Sequence, residues 1–308
     1  MISFKVITEE NKAAVVSEIS ATVPESEREE FFSVADSFDL SDEDVEIAIS
    51  YHGGCALARI FDMGRYHFLF PIALSDDADI RKALLSVAEY AMREEVPLSV
   101  CAVPADSLSF FSGFRHMNID ADDEECASYR VQVKTECELL DEIPQIVGER
   151  VNLCPLSEAD IPLYAELSKD SEVNKYWGYN YAEDNATPSD EYFFENAEGE
   201  FMRGVAFSMA VRHLDRFIGE CTFYAFDGRG SAEFSIRLLK EYHGQGLGSE
   251  ATELIFEAAR QIGLVGLRAR VSKKNEPSIA MLSRFGECES VDSETLEFSF
   301  ALIGKNAM

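Results

Sequence analysis

The sequence has no run approaching the ~18 consecutive apolar residues of a membrane span. Its opening stretch, MISFKVITEENKAAVVSEIS, lacks the charged, apolar and cleavage regions of a signal peptide. Basic residues are scarce, 27 against 57 acidic ones, for a formal net charge of −30. With neither a basic stripe nor a polybasic tail, no nucleic acid and no membrane surface is expected as a partner. The seven cysteines are scattered and odd in number, with no C-x-x-C pair. That favours reduced thiols over a disulfide framework, as expected of a cytoplasmic protein. The five histidines are equally dispersed, so no zinc spacing arises and no metal is expected.

What is present is a chain of 308 residues with 46% apolar and 11% aromatic content, enough for two hydrophobic cores. Pro144 and Gly148 follow the acidic run DADDEEC, which places a domain boundary near residue 147 and gives domains 1–147 and 148–308. In the second, FSMAVRHLDRFIGECTFYAF reads as two alternating strands around an HLDR turn, and AEFSIRLL as a third. A glycine-rich loop follows, then the helix SEATELIFEAARQIG with Gly263 as its stop. LRARVSK is a strand, EPSIAMLSRFG a short helix and TLEFSFALI a closing strand. Met202, Met209, Phe193 and Phe194 read as core.

The first half repeats this order. It gives a hairpin about His52–Gly54, the strand RYHFLFPIAL, the helix DIRKALLSVAEYAMREE, the strand PLSVCAV and the short helix DSLSFFSGF, which sets Ser107 opposite Ser278. The fold class is therefore α/β (α+β), with two tandem units, each a mixed, largely antiparallel sheet flanked by helices. At the position of the glycine loop, the first copy carries SDDADI. Its three aspartates repel an anion, and its side chains block close backbone approach.

In YHGQGLGSEA, Gly244, Gly246 and Gly248 alternate directly before a helix. Glycines at these places let main-chain N–H groups converge on one point, to which the helix adds the positive end of its dipole. That is a cradle for a diphosphate. No Gly-Lys-Ser/Thr follows, which excludes a Walker loop, and the preceding antiparallel strand disfavours a dinucleotide fingerprint. A plain tight turn is the bland alternative.

The loop His243, Gly244, Gln245, Gly246, Leu247, Gly248 resembles the Arg/Gln-x-x-Gly-x-Gly/Ala signature of the GNAT acetyltransferases. The downstream Asn275, Ser278, Met281, Arg284 and Gly286 are similar to that family's second motif. The resemblance covers residues 149–301, AEFSI and VNKYWGY being similar to the ribosomal-protein alanine acetyltransferase branch, and the first half resembles a degenerate copy. It implies acetyl-CoA (coenzyme A) as co-substrate, no metal, and an acceptor that is a small-molecule amine or a protein N-terminal amine, cationic or neutral. A homodimer is left open. Cofactor contacts are implied for the loop through Ser249, for the N–H of Leu238 or Leu239 as carbonyl polariser, for Asn275 on the pantetheine arm, and for Ser278, Met281 and Arg284, the last near the adenosine phosphate. This chain departs from the family at His243, at Leu282, where a tyrosine acid is usual, and at Glu287.

Acyl transfer to an amine needs a base and a proton donor. Glu233, on the strand entering the loop, is the first candidate base, and Glu220 on the preceding strand the second; either is otherwise an ordinary strand carboxylate. Ser278 is the candidate acid, or only a first-turn hydrogen bonder. Trp177, Tyr179 and Tyr181, with Asp184, suit an amine's enclosure or simple packing. The alternatives to a transferase are a coenzyme A-binding regulatory or scaffold module, and an unrelated nucleotide binder.

Overall fold

The computed structural model describes residues 3–21, 25, 28–36, 45–51, 54–62, 66–69, 72–73, 98–123, 128–177 and 188–302. The chain forms two compact units, Met1–Lys134 and Thr135–Met308. Their division lies earlier than the break expected near 147. The reason is packing: Cys137 and Ile146 are buried in the second unit's core.

The first unit contains β1 (Ser3–Ile7), α1 (Lys12–Ser20), α2 (Arg28–Asp36), β2 (Val45–Tyr51), β3 (Gly54–Asp62), β4 (Tyr66–Leu69), β5 (Ile72–Ala73), β6 (Leu98–Pro104), β7 (Met117–Asp123) and β8 (Ser128–Val133). Its sheet runs β1-β2-β3-β4-β6-β8-β7, with β5 beside β3. Every neighbouring pair is antiparallel except β4 with β6. The expected short helix is a 3-10 segment, Ala105–Phe111. The SDDADI stretch and the helix expected after it lie outside the described residues.

The second unit contains β9 (Ile146–Val147), β10 (Val151–Pro155), α3 (Ile161–Lys169), α4 (Asp190–Met202), β11 (Phe207–His213), β12 (Arg216–Tyr224), β13 (Ser231–Leu238), α5 (Leu247–Gln261), β14 (Gly266–Ser272), α6 (Glu276–Leu282), β15 (Glu287–Ser290) and β16 (Thr295–Ala301). The sheet order is β15-β16-β14-β13-β12-β11-β10-β9, and only β13 with β14 is parallel. From β10 to β15 the strands have the order and directions of β1 to β7 in the first unit. The repeat read from the sequence is thus a repeat of topology.

Alternation along the strands makes two cores in the second unit. On one sheet face Phe207, Phe223, Phe234 and Phe298 pack beneath Ala251, Ile255 and Ala258 of α5. On the other, Ala210, Phe217 and Leu239 meet Tyr164 and Leu167 of α3 and Phe193 and Phe194 of α4. Met209 is buried as expected, whereas Met202, the last residue of α4, is 86% exposed. The core assignment of Met202 is therefore corrected: the helix ends where its side chain has no neighbouring layer to enter.

The HLDR turn joins β11 to β12 with both central residues left-handed, Leu214 at φ 49° and Asp215 at φ 62°. Such a turn suits Asn-Gly, and leucine is strained there. Replacing Leu214–Asp215 by Asn-Gly is expected to stabilise the protein by about 1 kcal/mol, read as a higher denaturant midpoint at an unchanged slope.

Candidate functional site

The site arises where the sheet parts. β13 pairs with β12 along Glu233–Leu238, but with β14 only at Ser231, Ala232 and Glu233. Beyond Glu233 the two parallel strands diverge, and a cleft of about 770 Å³ opens between β13, the glycine loop and α6.

Antiparallel hydrogen bonds alternate between residues facing the partner strand and residues facing away from it. Leu239 N–H donates to the Ile218 carbonyl at 2.8 Å. That amide is spent, and the Leu239 side chain is buried in the core, so its assignment as carbonyl polariser is corrected. The same alternation turns the N–H and C=O of Leu238 toward the parted side. His243 Nε2 donates to that carbonyl at 2.8 Å, which folds the loop back over the strand end.

Gly244 has φ 71° and Gly246 φ 78°, both left-handed. A Cβ at Gly244 would meet nothing within 4 Å, so it is backbone conformation, not space, that demands glycine there. Helix α5 begins at Leu247, and its first amides, at Leu247, Gly248 and Ser249, have no carbonyl one turn earlier to accept from them. Gly244, Gly246, Gly248 and Ser249 line the cleft. Leu247 does not: its side chain is buried, so only its main chain takes part. Gln245 also lies off the cleft, its side chain donating to the Glu241 carbonyl at 2.7 Å.

Two arginines brace this turn. Arg150, which no sequence motif indicated, donates to the Gln245 carbonyl at 3.1 Å and pairs with Glu250 of α5 at 2.7 Å. Burial pushes the Glu250 carboxyl up, but hydrogen bonds from the Arg150 amide and guanidinium and the Val151 amide outweigh it and hold that carboxyl below its ordinary range. Arg284 donates to Ser249 Oγ at 3.0 Å, outside the residues lining the cleft. Lys175, Lys274 and Arg237 lie on the walls together with Glu172 and Glu276, so the cleft carries charges of both signs in a strongly acidic chain.

Asn275, Ser278 and Met281 line the α6 wall. Asn275 caps α6, its Oδ1 accepting from Ser278 N–H at 3.4 Å. Leu282 is 3% exposed and belongs to the core, so a tyrosine could not face the cleft from that position. Tyr176 and Tyr242, which lie within quoted motifs but were assigned no role, do line it, as does Trp177. Tyr179, Tyr181 and Asp184 lie outside the described residues.

The two candidate bases are not on the cleft. Glu233 stands in the paired part of β13, before the strands diverge, and faces Arg270 at 3.6 Å and Arg268 at 4.0 Å. Its placement at the site is corrected: alternation indicates only a face of the strand, and the strand carries Glu233 short of the opening. Glu220, directly opposite Arg237, is 2% exposed. Its Oε1 accepts from Arg237 Nη2 at 3.1 Å and from Thr222 Oγ1 at 3.4 Å. Burial first, and then this carboxylate, push the neighbouring Tyr164 hydroxyl well above its ordinary pKa. Among the described residues no group of side chains is arranged to hold a metal ion.

Known proteins resemble the second unit in sequence. The acetyltransferase (GNAT) domain profile matches residues 150–287. An uncharacterized N-acetyltransferase, p20, of Bacillus licheniformis is 31% identical over 140 residues, covering 44% of this chain and 77% of its own length. Among solved structures, Mycobacterium smegmatis RimJ in complex with CoA-disulfide is similar at 16% identity and a TM-score of 0.45, over 52% of this chain and 88% of that one. Spermidine N-acetyltransferase from Vibrio cholerae with CoA and spermine is similar at 14% identity and a TM-score of 0.43, over 50% of this chain and 97% of that one. On the matched domain and the p20 relative, the chain belongs to the GNAT acetyltransferase family.

Proposed function

We propose that the second unit transfers an acetyl group from acetyl-CoA to a primary amine. The observation that carries this reading is the conjunction of left-handed Gly244 and Gly246, unpartnered first-turn amides of α5 and a parted β13–β14 pair opening onto them. Acetyl-CoA supplies the acyl group as a thioester, and the residues present fit it. The amides of Leu247, Gly248 and Ser249 would hold its diphosphate at the positive end of α5, with Arg150 and Arg284 beside them. The Leu238 N–H would polarise the acyl carbonyl, and Asn275 with Met281 would line the arm's path.

Ser278, on the α6 wall, is the side-chain hydroxyl offered to the departing sulfur. The acceptor amine enters at the Tyr176–Trp177 end, where Glu172 contributes a carboxylate to the wall. The first unit repeats the topology and serves as a degenerate copy, its sequence carrying SDDADI where the second unit has its glycines.

The test is release of free thiol from acetyl-CoA across a panel of amines that includes peptide N-termini, diamines and aminoglycosides. Release above the acceptor-free rate supports the transferase, whereas coenzyme A binding without release favours the regulatory module. Because Glu233 is held by arginines away from the cleft, Glu233→Gln is expected to leave turnover within about twofold while lowering stability by about 1 kcal/mol. A large fall in kcat at unchanged stability would return Glu233 to the chemistry.

A further inference from the structure

An ionic pair buried beneath a cleft needs explaining, because apolar residues of similar volume usually serve stability as well or better. Arg237 and Glu220 form such a pair, with side chains 9% and 3% exposed. Glu220 does not line the cleft, but Arg237 does, and it makes more contacts than a counter-charge requires. Its Nη2 donates to Ser168 Oγ at 3.0 Å, at the end of α3, as well as to Glu220. Its Nη1 donates to Asn174 Oδ1. Its Cζ lies over the Trp177 ring, 4.4 Å from the centroid.

Two of these contacts, with Asn174 and Trp177, fall in one short stretch, Asp170–Trp177, and a third, with Ser168, lies just before it. Within it Asn174, 1% exposed, donates through Nδ2 to the carbonyls of Leu167 and Asp170, both at 2.7 Å, and so closes the end of α3. With Nδ2 committed to carbonyls, Oδ1 is left to face Arg237. From the far side of the stretch Tyr176 OH donates to the Lys274 carbonyl at 3.0 Å, on the wall carrying α6. The stretch therefore spans the opening, tied to β13 by Arg237 and to the opposite wall by Tyr176.

We infer that Arg237 is a positioning residue for the proposed transfer: acting through Trp177 and Asn174, with Glu220 as its buried anchor, it holds Asp170–Trp177 as the acceptor-side wall of the cleft. The planar fork is essential to this. A lysine could keep the charge opposite Glu220, but it could not donate in parallel to Asn174 and Ser168 while stacking on an indole.

This inference rests on the acetyltransferase reading for its purpose, and its test is independent of that reading. Trp177 is the sole tryptophan of the chain, so emission excited beyond the tyrosine absorption band reports this wall alone. Acrylamide quenching and the emission maximum are measured for the wild type, Arg237→Lys and the paired replacement Arg237→Met with Glu220→Leu, alongside thermal midpoints and coenzyme A affinity by calorimetry. Both variants are expected to shift emission to the red and raise the quenching constant about twofold, as the indole loses its stacked guanidinium. Coenzyme A affinity is expected to stay within about twofold, because the loop amides are untouched.

Wild-type quenching and emission in Arg237→Lys would reduce Arg237 to a counter-charge and overturn the inference, as would an unchanged indole in the paired replacement. The paired replacement keeps the test decisive if Arg237→Lys folds poorly. Wild-type protein that binds no coenzyme A would instead sink the acetyltransferase reading, leaving the quenching result to be judged separately.

Discussion

Gly246→Trp is expected to weaken coenzyme A binding at least about a hundredfold, roughly 2.7 kcal/mol. Two effects combine. The residue sits at φ 78° and ψ 0°, where a side chain costs of order 1 kcal/mol and favours a turn of different shape. Its Cβ would also start 3.5 Å from Arg150 Nη2, so an indole there would crowd the guanidinium that donates to the Gln245 carbonyl and braces the turn. Calorimetric titration with coenzyme A measures the loss, and a thermal midpoint close to wild type shows that the fold survives. Undiminished affinity would remove the cradle from the proposal.

Glu220→Ala is expected to have the largest effect on stability, a loss of about 3–5 kcal/mol, because it strands the Arg237 guanidinium in a buried setting without its carboxylate. Replacing both partners with apolar residues of similar size should recover most of that loss, giving a strongly non-additive cycle. Denaturant unfolding of the single and paired variants measures it. A cost for Glu220→Ala below about 1 kcal/mol would mean that the pair is effectively solvated.

Much of this site could be read from residues alone, and what could not has a common cause. The glycine loop was legible because left-handed backbone at Gly244 and Gly246 restricts residue choice within a few positions. Helix α5 was legible because Ala251, Ile255 and Ala258 repeat at its period and are buried. Glu233 was misplaced because alternation tells which face a residue occupies but not where its strand leaves its neighbour; that depends on β14, whose pairing ends at Arg268. The choice between Leu238 and Leu239 turned on hydrogen-bond parity, which register decides. Arg150 reaches the loop from a segment far upstream with no pattern linking it to Glu250, and the Glu220–Arg237 opposition appears only once β12 and β13 are aligned. α3 and α4 were not foreseen, although Tyr164 and Phe193 complete the second core. Information local in sequence was recovered; information carried by pairing between distant segments was not.

The brief pairing of β13 with β14 also has a mechanical meaning. Three register pairs, Ser231 to Glu233 with Gly266 to Arg268, are the sole strand-to-strand link among the described residues between β9–β13 and the trio β14, β16 and β15. The second unit's sheet is thus a book bound at one corner, its covers kept at a fixed angle by α5 and the phenylalanines packed around it. A change in that aromatic filling, far from any reacting atom, would alter how wide the pages stand and therefore what thickness of molecule fits between them.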